Sequence, residues 1–394
     1  MRTRGTGRPE VVVLATGGTI ASVGSRRAGA RGVAPGLDGS HLVAAVPGLS
    51  GVARVTARSV ARVPGAHLTF DDLVDLAGSV EEALAGGAGG AGGAGGAGGT
   101  GGARGAAGPA GVVVTQGTDT IEDTAFVLDL LVGCSEPVVV TGAMRNPTLP
   151  GADGPANLLA SVTVAAAPTA RDLGTLVVLN DEIHAARFVS KRHSSNPAAF
   201  VSYPGPIGWV SEGRPHIAVR PVGRRTLPHP APGARHRVAL VALPVGDDDS
   251  ILAALAGDGS GGLRADGSGG LRADGVVIEA LGGGHVPPAA LDRLETVARR
   301  IPVVLTSTTR SGEVLQSTYD FPGSELDLAA RGVVNGGLLD ARKARLLLTL
   351  LLRAGADPAD VVATFADPWL ADDAGPVGPA GPREEDGCSS PPAE

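Results

Sequence analysis

Seven short apolar runs punctuate the sequence: VVVLA (11–15), GVVVT (111–115), PVVVT (137–141), TLVVL (175–179), VALVAL (238–243), GVVIEA (275–280) and PVVLT (302–306). Runs of strand length that are apolar throughout, rather than at alternate positions, suit strands covered on both faces, as in parallel sheets. Between them, 69–84, 119–132, 153–166, 287–299 and 340–353 place apolar residues at helical spacing, as Ile121, Ala125, Leu128 and Leu131 do. This alternation predicts an α/β fold with mainly parallel sheets. At 394 residues the chain exceeds one ordinary domain. The segment PVGRRTLPHPAPGARH (221–236) is rich in Pro and Arg and has no period. We expect a larger N-terminal domain over 1–222, a linker over 223–236 and a smaller C-terminal domain over 237–372.

Three stretches look like additions to this plan. GGAGGAGGAGGAGGTGG (86–102) loses too much backbone entropy on ordering to form a regular element, and reads as a flexible surface loop. GSGGLRAD occurs twice in tandem, at 259–266 and 267–274, and reads as a loop insertion rather than an ion-binding array. The acidic, Pro-rich stretch over 373–394 reads as a disordered tail.

Composition narrows the class. Apolar residues make up 43% of the chain and charged ones 19%, which suits globular domains with sizeable cores. A net charge of −7 without a Lys/Arg-rich block argues against a nucleic-acid partner. Two cysteines, Cys134 and Cys388, cannot build a disulfide framework, and their spacing fits no zinc motif. Arg2, Arg4 and Arg8 lead into an apolar run of only five residues, which does not read as a signal peptide, and no run is long enough to span a bilayer. The expectation is a soluble cytoplasmic protein without membrane association.

Parallel α/β sheets gather function at the carboxyl ends of their strands. Three such ends carry unusual residues. LATGGTIAS (14–22) runs a strand into two glycines flanked by Thr16 and Thr19, with neither a Walker Lys-Ser/Thr nor a Gly-x-Gly-x-x-Gly pattern. VVVTQGTDTIEDTA (112–125) crowds Thr115, Gln116, Thr118, Asp119 and Thr120 between a strand and a helix. Thr118 or Asp119 alone could be a plain helix N-cap, but one cap suffices for a helix and five polar groups need another reason. In VVVTGAMRNPTLPGADGPANLL (138–159), Asp153 reads as an N-cap with Pro155 in the first turn.

Lysine usage adds an independent clue. Of 33 basic residues only Lys191 and Lys343 are lysines. A proton-transfer step needs a base that can become neutral, which arginine cannot. Lys191, in ARFVSKRHSS, is therefore a candidate base, whereas Lys343, in DARKARLLL, reads as a residue on a solvated helix face.

Together, ATGGTI (15–20), TQGTDTIEDTA (115–125), TGAMR with ADGPANL (141–158), NDEIHAARFVSK (180–191) and VVLTSTTRSG (303–312) resemble the bacterial-type L-asparaginases, in the same order. The resemblance implies a two-domain α/β amidohydrolase that converts L-asparagine, sometimes glutamine, to the acid and ammonia without a metal or other cofactor, and that assembles as a homodimer or homotetramer. It implies Thr19 as nucleophile, and Thr118, Asp119 and Lys191 as the remaining catalytic set. Asp119 would also hold the substrate ammonium, with Gly18, Gly65, Ala66 and Gly117 lining the substrate. Three positions depart from the family pattern: Gln116 stands where histidine is usual, no tyrosine precedes Tyr203 to activate the first threonine, and Gly65-Ala66 replaces a serine-bearing loop. Arg26, Arg27 and Arg31 lie in the loop where the tyrosine is missing. The departures leave room for glutamine or another small amide as substrate, or for a non-catalytic amino-acid-binding protein.

Excising 88–101 and truncating after Asp373 is expected to leave folding and turnover nearly unchanged, because loop-closure entropy grows only logarithmically with length. Denaturant titration checks this, and a loss above roughly 2 kcal/mol would show that these segments pack on the core.

Overall fold

The structure is a computed structural model that describes residues 7–24, 33–35, 38–86, 108–247, 249–256 and 272–367. Its larger sheet has eight strands in the order Arg214–Ile217, Gly208–Ser211, Glu182–Ala185, Thr175–Leu179, Val138–Thr141, Gly111–Thr115, Glu10–Ala15 and Arg54–Ser59. The last five run parallel. The first three extend the sheet antiparallel. The smaller sheet, Val238–Ala242, Gly275–Ala280, Val303–Ser307 and Val334–Asn335, is parallel throughout.

The two-domain α/β expectation holds, with one refinement: the larger sheet is mixed. Its antiparallel strands, EIHA, GWVS and RPHI, are short and partly solvated, so they lack the continuous apolar signature of doubly covered strands. Strands Gly111–Thr115, Val138–Thr141 and Thr175–Leu179 are buried at every residue, as their composition predicts. Val238–Ala242 is not, because it is the edge of the smaller sheet and exposes Leu240 and Ala242.

The five predicted helices form as Phe70–Gly86, Ile121–Leu131, Gly154–Ala165, Leu291–Ala298 and Ala341–Arg353. Helix Ile121–Leu131 buries Ile121, Ala125, Leu128 and Leu131, but also Thr124, Phe126, Val127 and Leu130. A one-sided stripe is not enough here, because the helix lies between the large sheet and helix Ala341–Arg353 of the C-terminal unit. Phe126, Val127 and Leu131 belong to the same apolar cluster as Val277, Leu347 and Leu351. One core therefore crosses the junction between the two units.

Residues 218–237 carry no helix or strand, and we propose 223–236 within them as the inter-domain connection. The connection is tied down: Arg224 Nη1 donates to Cys134 O at 2.9 Å and Leu227 N to Leu130 O at 2.7 Å. Most of the Gly-rich loop, all but 272–274 of the tandem repeat, the tail over 373–394, and Arg26, Arg27 and Arg31 lie outside the described residues. Among the described residues no helix is long and apolar enough to cross a membrane.

Candidate active site

The parallel strands Glu10–Ala15 and Gly111–Thr115 lie side by side, so their C-terminal loops start at the same level. Thr16 pins them together: its N–H and its hydroxyl both donate to Thr115 O, at 2.9 and 3.2 Å. Beyond that clamp the chains touch. A Cβ on Gly18 would lie 2.1 Å from Gly117 N, one on Gly117 would lie 2.7 Å from Gly65 N, and one on Gly65 would lie 2.9 Å from Gly117 O. Gly18 also has φ +85°, a conformation that side-chain-bearing residues rarely adopt. Three strand-end loops thus meet backbone to backbone, and Thr19, half-buried, opens the short 3₁₀ turn Thr19–Ala21 directly after the contact. Ala66 is exposed beside buried Gly65 in the turn Gly65–His67.

Neither Thr118 nor Asp119 caps helix Ile121–Leu131. They form a separate 3₁₀ turn, Thr118–Thr120, ahead of it, which leaves their side chains for other work. Thr120 holds the turn to the neighbouring loop by donating to Gly65 O at 3.2 Å. Gln116 is fully buried behind it, its amide donating to Thr120 Oγ1 at 3.3 Å. Buried Thr118 sets its methyl against the position where Gly142 lacks a Cβ.

Lys191 joins this turn from strand Val189–Lys191. Its Nζ donates to Thr118 Oγ1 at 2.9 Å and to Asp119 Oδ1 at 2.7 Å. The lysine side chain is only 13% exposed, whereas the Asp119 carboxylate is 67% exposed. The arrangement is a hydroxyl in contact with an amine that is largely screened from water, beside a carboxylate open to an incoming cation. Such a lysine can take the hydroxyl proton only as the neutral amine, and an open carboxylate can bind an ammonium group.

Behind these residues lies a shell that reading the sequence did not find. Buried Glu122 accepts the Lys191 N–H at 2.9 Å through Oε2 and Arg342 Nη1 at 2.5 Å through Oε1. Arg342 also pairs with Asp123 and donates to Asp119 O at 3.3 Å. Burial pushes the Asp123 carboxyl up to about 6, against the pull of Arg342. In sequence, Glu122 and Asp123 look like ordinary acids in a first helical turn, and nothing local ties them to an arginine some 220 residues away. Lys343 corrects an expectation outright. It is not on a solvated face: its side chain is 3% exposed, and Nζ donates to Val189 O at 2.5 Å and to Asp340 Oδ2 at 3.4 Å. Burial would raise the Asp340 carboxyl, but Lys343 holds it below the ordinary range. Asp153 stands at the N-cap position of helix Gly154–Ala165 with Pro155 in the first turn, as expected, but its side chain has a different task. It makes no side-chain cap on helix Gly154–Ala165, and instead accepts the N–H groups of Met144 and Arg145 at 3.0 and 2.8 Å, folding the loop back on the helix start.

The family described as "Asparaginase, N-terminal" matches residues 10–91 and 104–222, and "Glutaminase/Asparaginase C-terminal domain" matches 237–365. The chain belongs to the asparaginase family. Among relatives of this asparaginase-family chain, a probable L-asparaginase of Deinococcus radiodurans is 36% identical over 365 residues, covering 91% of this chain and 97% of that one. A probable periplasmic L-asparaginase of Haemophilus influenzae is 31% identical, covering 91% and 93%. The crystal structure of a probable cytoplasmic L-asparaginase from Campylobacter jejuni superposes with a TM-score of 0.73 at 26% identity, covering 91% of this chain and 99% of that one.

Because the loops meet without side chains, Gly18→Ala is expected to destabilise this asparaginase-family protein by roughly 2 kcal/mol or more, through overlap with Gly117 and the strained φ. Chemical denaturation measures it, and a wild-type midpoint would show that the loops can separate without cost.

Proposed function

We propose that the chain is an amidohydrolase that converts L-asparagine to L-aspartate and ammonia through a threonine-bound acyl intermediate. The observation that carries this reading is the contact of Lys191 Nζ with both Thr118 Oγ1 and Asp119 Oδ1. Asp119 takes the substrate α-ammonium, and backbone N–H groups at Gly65 and Ala66 face the α-carboxylate, doing without a serine hydroxyl. Thr19 Oγ1 attacks the side-chain amide carbon. Its proton passes to Thr118 as Thr118 gives its own to Lys191, which takes it as the neutral amine after its own proton has left to solvent. Oxygen charge that develops on the amide falls to N–H donors of the glycine turns at Gly17, Gly18 and Gly117. Collapse breaks the C–N bond, and the relayed proton returns to the departing nitrogen, which leaves as ammonia. Water then attacks the ester carbon, Thr19 recovers its proton, and aspartate is released.

With Asp119 engaged by the substrate ammonium, the Lys191–Thr118 contact is freed from its competing carboxylate. This makes the relay substrate-assisted, and it supplies part of what an activating tyrosine would otherwise do. The C-terminal family description pairs glutaminase with asparaginase, so glutamine is the alternative substrate. A non-catalytic binding protein of the same fold is the reading from another class, and ammonia release separates it from both. We propose a cytoplasmic location, as named for the Campylobacter jejuni protein and unlike the probable periplasmic enzyme of Haemophilus influenzae, and cell fractionation decides it.

Thr19→Ala, Thr118→Ala, Asp119→Ala and Lys191→Met are each expected to lower kcat/KM at least about a hundredfold in a coupled ammonia assay over a panel of amides. Lys191→Arg should fail as badly, because a guanidinium keeps the charge but cannot accept the proton. Retained activity in Lys191→Arg would reduce the lysine to an electrostatic fixture. An acyl adduct trapped on the peptide bearing Thr118 would move the nucleophile away from Thr19.

We further propose a homodimer or homotetramer whose sites are completed by a neighbouring subunit. On dilution, turnover is expected to vanish before the N-terminal domain unfolds, and a fully active monomer in light scattering would refute this.

A further inference from the structure

Strand Val189–Lys191, which carries the site lysine, is not part of the eight-stranded sheet that carries Thr118 and Asp119. Among the described residues it pairs only with Phe200–Ser202, in a two-stranded ribbon. A two-stranded ribbon is marginal by itself, so sheet hydrogen bonding does not set the distance between Lys191 and the Thr118 turn. Burial of Val189 and Phe200 in the core holds the ribbon down but is not directional. Within the N-terminal unit, His184 Nδ1 meets Ser202 Oγ at 2.9 Å and Glu122 accepts the N–H of Lys191; further directional contacts come from one helical turn across the domain junction. Lys343 Nζ holds the carbonyl of Val189, and Arg342 holds Glu122, which in turn holds the N–H of Lys191. The same guanidinium donates to Asp119 O, at the other partner of the Lys191–Asp119 pair. Asp340 caps this helix by accepting the N–H of Lys343 at 3.0 Å, so the turn that presents both cations is itself fixed.

We propose that Arg342 and Lys343, in the first turn of helix Ala341–Arg353, are positioning residues that set Lys191 against Thr118 from the C-terminal domain. The inference rests on the catalytic role of Lys191 proposed above. Arg342 is the residue to test, because its planar fork reaches two carboxylates and a carbonyl at once, which an ammonium cannot reproduce. Lys343 is less suitable, since removing a buried cation next to Asp340 would cost stability by itself.

The experiment is a cycle of Arg342→Met in the wild-type and in the Lys191→Met backgrounds, with Arg342→Lys alongside. Steady-state kinetics on asparagine are measured, and thermal melts confirm folding. In the wild-type background Arg342→Met is expected to lower kcat roughly ten- to a hundredfold, the size of effect that a small misplacement of a reacting group produces. KM should move far less, because the open Asp119 carboxylate still binds substrate, and Arg342→Lys should recover part of kcat. In the Lys191→Met background the same substitution should change the residual rate hardly at all, since the group it positions is gone. An equal fold-loss in both backgrounds, or a wild-type kcat in Arg342→Met, overturns the inference while leaving the role of Lys191 intact. Wild-type turnover in Lys191→Met overturns the role of Lys191, and the inference with it. If Arg342→Met does not fold, Glu122→Gln, which keeps an acceptor for the Lys191 N–H but drops the charge facing Arg342, is judged by the same two-background comparison.

Discussion

Gly18, Gly65 and Gly117 touch through their main chains, and that contact depends on the absence of three Cβ atoms. Every other feature of the site is arranged around it. With the loops in contact, the turns that open at Thr19 and Thr118 both follow the carboxyl ends of neighbouring parallel strands, where an open α/β sheet places its ligands. Thr16 on one side and Thr120 on the other tie the contact with hydroxyl-to-carbonyl bonds, so two of the threonines that crowd the motifs hold the loops together.

The parts of the fold legible in the sequence were those whose physics is local. Strands covered on both faces announce themselves as unbroken apolar runs, and all five expected helices form within a few residues of their predicted limits. What could not be read was the antiparallel extension of the large sheet, because Gly208–Ser211 and Arg214–Ile217 are half solvated, and largely buried Glu182–Ala185 is too short and carries Glu182 and His184. In the site, the turn from Thr115 to Thr120 stood out because it held more polar groups than a cap requires. Its supporting shell did not. Glu122 and Asp123 resemble any acids in a first turn, and their partner Arg342 is joined to them only by tertiary folding.

Lysine scarcity singles out both lysines of the chain, not one. Both lysines of the chain serve one short strand: Lys191 ends it, and Lys343 holds the carbonyl of Val189 within it. In a protein that otherwise uses arginine, each stands where a compact ammonium with freely rotating donors suits a narrow polar niche better than a planar fork. The same scarcity that singled out Lys191 applied equally to Lys343. In its DARKARLLL setting Lys343 reads as a residue on a solvated helix face, but the helix buries it against the N-terminal unit.

Helix Ala341–Arg353 also has a bearing on how such chains can be recombined. Glu122 and Asp123 are acids at a junction, matched by an arginine that the other half of the polypeptide supplies. A chimaera that joins this N-terminal half to a foreign C-terminal half would bring the two acids under apolar cover without their counter-charge, and a lone charge so covered is far costlier than a solvated one. The transferable unit is therefore not the domain as drawn along the chain but a discontinuous cassette: residues 119–123, 189–191 and 340–343 have to be exchanged together. Natural divergence faces the same restriction, so these three segments are expected to drift as one.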